Sequence, residues 1–301
     1  MFPLNTAFIL LPDFILILVG WGIRHYTPLR QSVWESLEQL VYWVLFPCLL
    51  FSSAINAKLV WADNMTMLLL LGFCMCASGA LAYSAKWLFN PDPVNLVSGI
   101  QTTFRFNTYI VLAVSARLLD TSGLELMAIT IACLVPISNA LSVMSLAHRS
   151  GQSLLIELLK NPFVLATSAG LFFNALGVHL PEMIQLNVSR LGNASITLGL
   201  MTVGASLQWV STKKDGILVF YWTFLKLIAL PAMALLGANL LHLPPPQKFN
   251  AVLFACMPTA TSAFVMVNRM GGNGSIVAVT ISIMTLVAAV TIPFWIYFVN
   301  Y

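Results

Sequence analysis

Apolar residues run through this chain in blocks of about twenty, the length an α-helix needs to cross the hydrocarbon core of a bilayer. The blocks cover residues 5–23, 34–57, 65–89, 94–118, 124–147, 162–179, 190–210, 217–241, 248–268 and 274–299. Short polar stretches punctuate them: RHYTPLRQS, AKLVWADN, NPDP, LDTSG, HRSGQ, HLPEM, STKKDG, LPPPQ and GGNG. No connection is long enough to fold as a further domain. The pattern predicts an all-α polytopic membrane protein with ten transmembrane helices. The first block has neither a basic n-region nor a small-residue cleavage site, so it is expected to stay in the chain and not to be removed as a signal peptide.

Composition agrees with the pattern. Only 8% of the residues are charged and 59% are hydrophobic, with a mean hydropathy of +0.89; soluble domains carry about 25% and about 45–50%. A chain so poor in charge cannot cover its surface in water, so the lipid bilayer is its solvent and a plasma (inner) membrane location is expected. The net charge of +4 is small and scattered, which excludes nucleic acid as an expected partner. Assembly as a homodimer is left open.

Basic residues of short loops favour the cytoplasmic side. With the N-terminus outside, the inner loops hold Arg24, Arg30, Lys86, Arg149, Lys160, Lys213, Lys214 and Arg269, and the outer loops hold Lys58, Arg117, Arg190 and Lys248. This bias predicts both termini on the non-cytoplasmic side. Ten spans divide into five and five, and an odd number per half inverts the second half relative to the first. Pro12 and Gly20 in span one are echoed by Pro162 and Gly170 in span six. The expected division is therefore residues 1–150 and 151–301, two inverted five-helix repeats, the architecture in which secondary transporters place a midplane site.

Two basic residues fall inside spans. Arg105 lies near the middle of span four in QTTFRFNTYI, beside Thr102, Thr103, Asn107 and Thr108; Lys226 lies in span eight. Span nine carries Pro258, Thr259, Thr261 and Ser262. Pro258 removes a backbone donor and clashes with the preceding turn, so that helix should open there. Opened backbone at membrane depth must be buried in protein or line a cavity. If span four opens as well, two half-helix N-termini, each with about half a positive charge, face one cavity beside a guanidinium. A guanidinium's planar fork suits a carboxylate, so a small organic anion is the expected ligand.

A charge at the centre of a spanning helix costs about 2.5–3.5 kcal/mol even on lenient scales, which makes Arg105 a candidate anchor or a static clamp. Lys226 is a secondary charge whose long stem can snorkel. The expected substrate-binding set is Arg105, Asn107, Thr103, Thr108, Asn139, Pro258, Thr259, Thr261 and Ser262. Asp13 is the only carboxylate well inside a span, and Glu35 and Glu38 open span two. No acid is expected at the depth of Arg105. The five cysteines sit in apolar segments without zinc spacing, and the four histidines fall in or beside polar connections. No metal, no cofactor and no enzymatic constellation is expected.

These segments resemble the auxin efflux carrier family of membrane transporters. The likeness lies in LVYWVLFPCLLFSSAI around residues 40 to 55, FRFN (104–107), NPFVLA (161–166), LGLMTVGASL (198–207), KLIALP (226–231) and MPTATSAFVMV (257–267). The resemblance implies ten helices as two inverted five-helix repeats, with crossed, broken helices 4 and 9 around the substrate site. It also implies export or exchange of small organic anions, with auxin, malate and malonate among the family's substrates. Arg105 and Asn107 fall in the fourth-helix motif and Pro258 in the ninth-helix crossover. The family's Gly-x-Pro after the Asn is replaced here by Leu112, Ala113 and Val114, so Asn107 or Gly99 is the expected weak point in helix 4.

A secondary carrier is the leading expectation. An inside-negative potential drives an anion outward by about 2.3 kcal/mol per charge per 100 mV, so export needs no coupling ion. A sodium- or proton-coupled symporter and a non-transporting ligand-sensing receptor are the alternatives.

Overall fold

The computed structural model describes residues 4–29, 31–55, 61–146, 162–178, 180–207 and 215–299, and they are helical without a strand among them. Helix α1 (Leu4–Tyr26) is followed by α2 (Gln31–Leu40), which runs through a π-helical turn at Val41–Leu45 into α3 (Phe46–Ile55). Helix α4 (Trp61–Tyr83) continues into the short α5 (Ala85–Phe89). Span four is split into α6 (Pro93–Ile100), a 3-10 turn at Gln101–Thr103, and α7 (Thr108–Leu118). Next come α8 (Thr121–Leu146), α9 (Pro162–Ala175) and α10 (Glu182–Ser206). Helix α11 (Gly216–Phe224) passes through a second π-helical turn at Leu225–Ala229 into α12 (Leu230–Leu240). Span nine is split into α13 (Pro245–Ala255) and α14 (Ser262–Arg269), and α15 (Gly274–Val299) closes the order.

Among the described residues, four stretches are long and apolar enough to cross a membrane by length and composition: Asn64–Phe89, Ser122–Leu146, Gly216–Leu240 and Gly274–Val299. The fourth and ninth apolar blocks are interrupted, the sixth is helical only to Ala175, and the seventh begins eight residues earlier than its apolar block, on the mixed polar and apolar run from Glu182 to Ser189. That run contains no Gly or Pro, so nothing in it stops a helix, although a ruler of apolar length passes over it. The connections bearing Lys58, Arg149, Lys160, Lys213 and Lys214, on which the expected orientation depends, lie outside the described residues.

Packing sorts the helices into two groups. Helix α1 lies along α10, and α3 lies along both α9 and α10. The other group gathers α4, α6, α8, α11 to α13 and α15 around the two interrupted spans. Helices α1 and α10 touch backbone to backbone: a Cβ on Gly20 would stand 2.0 Å from the Met201 carbonyl oxygen, and one on Gly204 would stand 1.7 Å from that of Ile17. Small residues permit such approaches between helices in lipid, where dispersion and close packing replace the hydrophobic drive.

Inside the second group the largest fully buried side chain is Trp222, whose indole lies over Gly99 on α6. The wide apolar exterior, including Trp43, Phe73, Trp87, Phe172 and Phe220, is the surface a lipid-solvated protein presents.

Candidate functional site

The two interrupted spans meet at their breaks. The Asn107 backbone N–H donates to the Pro258 carbonyl oxygen at 2.8 Å, so each opened strand satisfies part of the other. Span four opens over Phe104–Asn107 without the family's proline, because Asn107 caps the next helix: its side-chain oxygen accepts from the N–H groups of Tyr109 and Ile110. An N-cap takes extended backbone torsions, which is incompatible with helix running through it. Span nine opens at Pro258–Ala260 as the proline predicts, and helix resumes at Ser262, with Thr261 in the N-cap position but its side chain making no cap bond. Above the breaks α7 and α14 both begin, and their N-termini bring two positive dipole ends to the crossing.

Arg105 sits on the opened strand, 7% exposed. One guanidinium nitrogen donates to Ser142 Oγ at 2.9 Å and approaches Met266 Sδ at 3.2 Å, and the other donates to Ser262 Oγ at 3.0 Å. Ser142 in turn donates to the Ser138 carbonyl. Arg105 thus donates to hydroxyls on both α8 and α14. It borders a cavity of about 70 Å³ together with Tyr42, Phe106, Thr108, Val135, Ser138, Asn139, Ala260 and Ser262. Arg105, Thr108, Asn139 and Ser262 of the expected set therefore meet around one space.

The remaining expected residues serve the crossing in other ways. Thr103 donates to the Ile100 and Ser78 carbonyls and faces α4. Asn107 is 1% exposed, and its Nδ2 has no hydrogen-bond partner among the described residues. Thr259 is fully buried with an equally unpartnered Oγ1. Thr261 donates to Glu38 Oε1 at 3.1 Å. Lys226 does not snorkel: it is wholly buried at the π-helical turn, with Nζ 3.5 Å from the Ala255 carbonyl at the end of α13. A cation at that helix C-terminus offsets the negative dipole end.

Two contributors escape a reading by apolar blocks. Tyr42 belongs to the π-helical turn of span two, and π-turns tend to mark functional positions. Glu38 was expected at the mouth of span two, but α2 begins at Gln31, which carries Glu38 two turns inward to the crossing. An acid is therefore present at this depth. A wider cleft of about 530 Å³, bordered by Asn239, His242 and Lys248, lies at the connection between α12 and α13 and contains neither break.

Residues 115–296 match the model of the family described as Membrane transport protein, the auxin efflux carrier family of the motif resemblance. The chain belongs to that family. It is a transport protein and not an enzyme. Among curated proteins it is 24% identical over 302 residues, 96% of each chain, to the "Uncharacterized transporter YfdV" of Escherichia coli (strain K12). It is 29% identical over 141 residues, 46% of this chain and 44% of the other, to the "Putative malonate transporter" of Rhizobium meliloti (strain 1021). The matched residues take in Thr259, Ser262 and Asn139, while Arg105 and Asn107 precede the family-model match.

Proposed function

We propose that this transporter carries a small organic anion, a carboxylate in the first instance, by alternating access around the crossing of its fourth and ninth spans. The observation that carries the reading is Arg105: a guanidinium on opened backbone, bordering a cavity with Thr108, Asn139 and Ser262, where two helices begin. The unpartnered amide of Asn107 adds a buried donor beside it. Positive potential from three sources and an orphaned donor suit a carboxylate better than a cation or a neutral solute. The likeness to a protein named for malonate favours the same class.

Two inverted five-helix repeats, residues 1–150 and 151–301, are the architecture of this reading. In its support, Gly20 of α1 packs against α10, and Gly170 of α9 packs against Phe51 and Ala54 of α3. Those are spans one on seven and six on two, the reciprocal relation two such repeats require. The breaks in spans four and nine stand in the same relation. Both termini are assigned to the non-cytoplasmic face of the plasma membrane, with export as the direction the membrane potential favours.

The test is flux in sealed vesicles containing the purified protein, with malonate, malate, indole acetate and a cationic control offered in turn. Saturable movement of one or more of the carboxylates, absent for the cation, is expected. Binding without movement would make the protein a receptor.

A further inference from the structure

The transport reading leaves Glu38 unused, yet its carboxylate reaches the crossing from α2, which packs on α10. Glu38 Oε1 accepts the Thr261 hydroxyl at 3.1 Å, and the next residue, Ser262, accepts Arg105 at 3.0 Å. An acid and a guanidinium therefore hold consecutive residues at the start of α14. Tyr42, one helical turn beyond Glu38, borders the Arg105 cavity, so α2 and its π-helical turn form the wall of the site on that side.

We propose that Glu38 is a proton-binding site of the transport cycle, loaded together with the anion at Arg105. This rests on the carrier reading and adds a second transported species to it.

The physical reason is charge. A carboxylate substrate at Arg105 and an ionised Glu38 are like charges at one partly dry site, and such pairs hold a proton between them. Binding of anion and proton is then mutually favourable, by equal factors in both directions. The proton sits on the carboxyl oxygen that Thr261 does not engage. It returns to water when the site reopens, so each turnover moves one anion and one proton and the net negative charge carried falls by one.

The surroundings of Glu38 allow this exchange. Among the described residues, Glu35 on its own helix is exposed to solvent and repels a second negative charge, and the phenol of Tyr109 on α7 acts on Glu38. Tyr42 follows one turn further along the chain, and the Arg105 guanidinium supplies the positive charge, held on Ser262 next to Thr261. The last turns of α10, which packs on α2, carry no charged residue from Leu191 to Ser206. Arg24 of α1 is spent on the Ala205 carbonyl at the end of α10. Glu38 lies on α2, which packs on α10, and Thr261 precedes α14, which packs on α15, so movement of one pair past the other makes or breaks their bond. Proton occupancy is in this way tied to the conformational step.

The experiment uses liposomes loaded with a trapped pH indicator and the malonate, malate and indole acetate panel, following anion and proton together. Wild type should move about one proton with each anion, with a rate that rises as the pH falls. Glu38→Gln keeps the size of the side chain and an oxygen for Thr261, so the fold is retained, but it cannot take up a proton. Its proton-to-anion ratio should fall to about zero and its pH dependence should flatten. Glu38→Asp, which restores a carboxyl, should recover coupling at a lower rate. A wild-type ratio of zero, or an unchanged ratio in Glu38→Gln, overturns the proposal while leaving the carrier intact. Failure of wild type to move any carboxylate of the panel overturns the carrier reading itself, and this inference with it.

Discussion

Arg117 Nε donates to Asp13 Oδ2 at 2.7 Å, joining the end of α7 to the middle of α1. Asp13 is 4% exposed and Arg117 remains half in solvent. Helix α7 packs on α1 and α10 as well as on α8, so this ion pair fastens the half of span four beyond the break to α1.

On the proposed alternating-access cycle, that tie opens in one of the two states. Asp13→Asn should favour the conformation exposed on the Arg117 side. A cysteine placed at Thr108 in a cysteine-free background should react several-fold faster with an impermeant thiol reagent applied from that side. The stability loss should be about 1–3 kcal/mol, between the values for exposed and buried pairs. Unchanged labelling would show that the pair is incidental to gating.

For Arg105 the two informative replacements are Lys and Gln. Lys keeps the charge and loses the planar fork, so transport should weaken by about tenfold, the cost of a charge-assisted bond. Gln leaves a desolvated carboxylate without its counter-charge, a loss of at least about 2 kcal/mol or about thirtyfold in apparent affinity. Flux measured against anion concentration checks both. A folded Arg105→Gln protein transporting at the wild-type rate would reduce Arg105 to a tie between α8 and α14.

Asn107 separates stability from binding. Asn107→Ala removes the cap of α7 and should lower stability by about 1 kcal/mol. Asn107→Asp keeps an accepting oxygen for Tyr109 and Ile110, so the helix start should hold, while a negative charge replaces the buried Nδ2 donor. Thermal melting should rank Asp above Ala, and anion flux should rank both well below wild type. Undiminished flux in Asn107→Asp would exclude the amide from the site.

At the start of α8, Asp120 accepts the Gly123 N–H at 2.8 Å and the Ser122 hydroxyl at 2.9 Å. These bonds to the ionised form hold its carboxyl below the usual carboxylate range. A group depressed by folding contributes above its unfolded value, and that contribution is lost as pH falls through the folded one. Asp120→Asn should therefore narrow the difference in melting temperature between neutral and acidic buffer. An identical difference in the variant would show that the cap is immaterial.

The break in span four was legible in QTTFRFN, where polar side chains crowd an apolar run, and Asn107, one of its two expected weak points, is the agent. Asn107 opens the helix as an N-cap, a role that depends on backbone torsions and not on composition. Pro258 announced the second break directly. Glu38 and Tyr42 were not legible as site residues: one was read as the polar mouth of a span, the other as one aromatic in an apolar block. Their position follows from where α2 begins and from the extra residue of the π-helical turn, which rotates everything after it. Lys226 shows the converse, a charge visible at once whose partner, the carbonyl at the end of α13, only the crossing reveals.

The contact between α1 and α10 has a mechanical corollary. With Gly20 and Gly204 each pressed against a carbonyl oxygen of the neighbouring helix, neither helix can slide or roll without steric collision. This pair behaves as a fixed post. On the carrier reading, the displacement that moves the substrate across the membrane is borne by the helices that contain the crossing, with the post as the surface against which they travel.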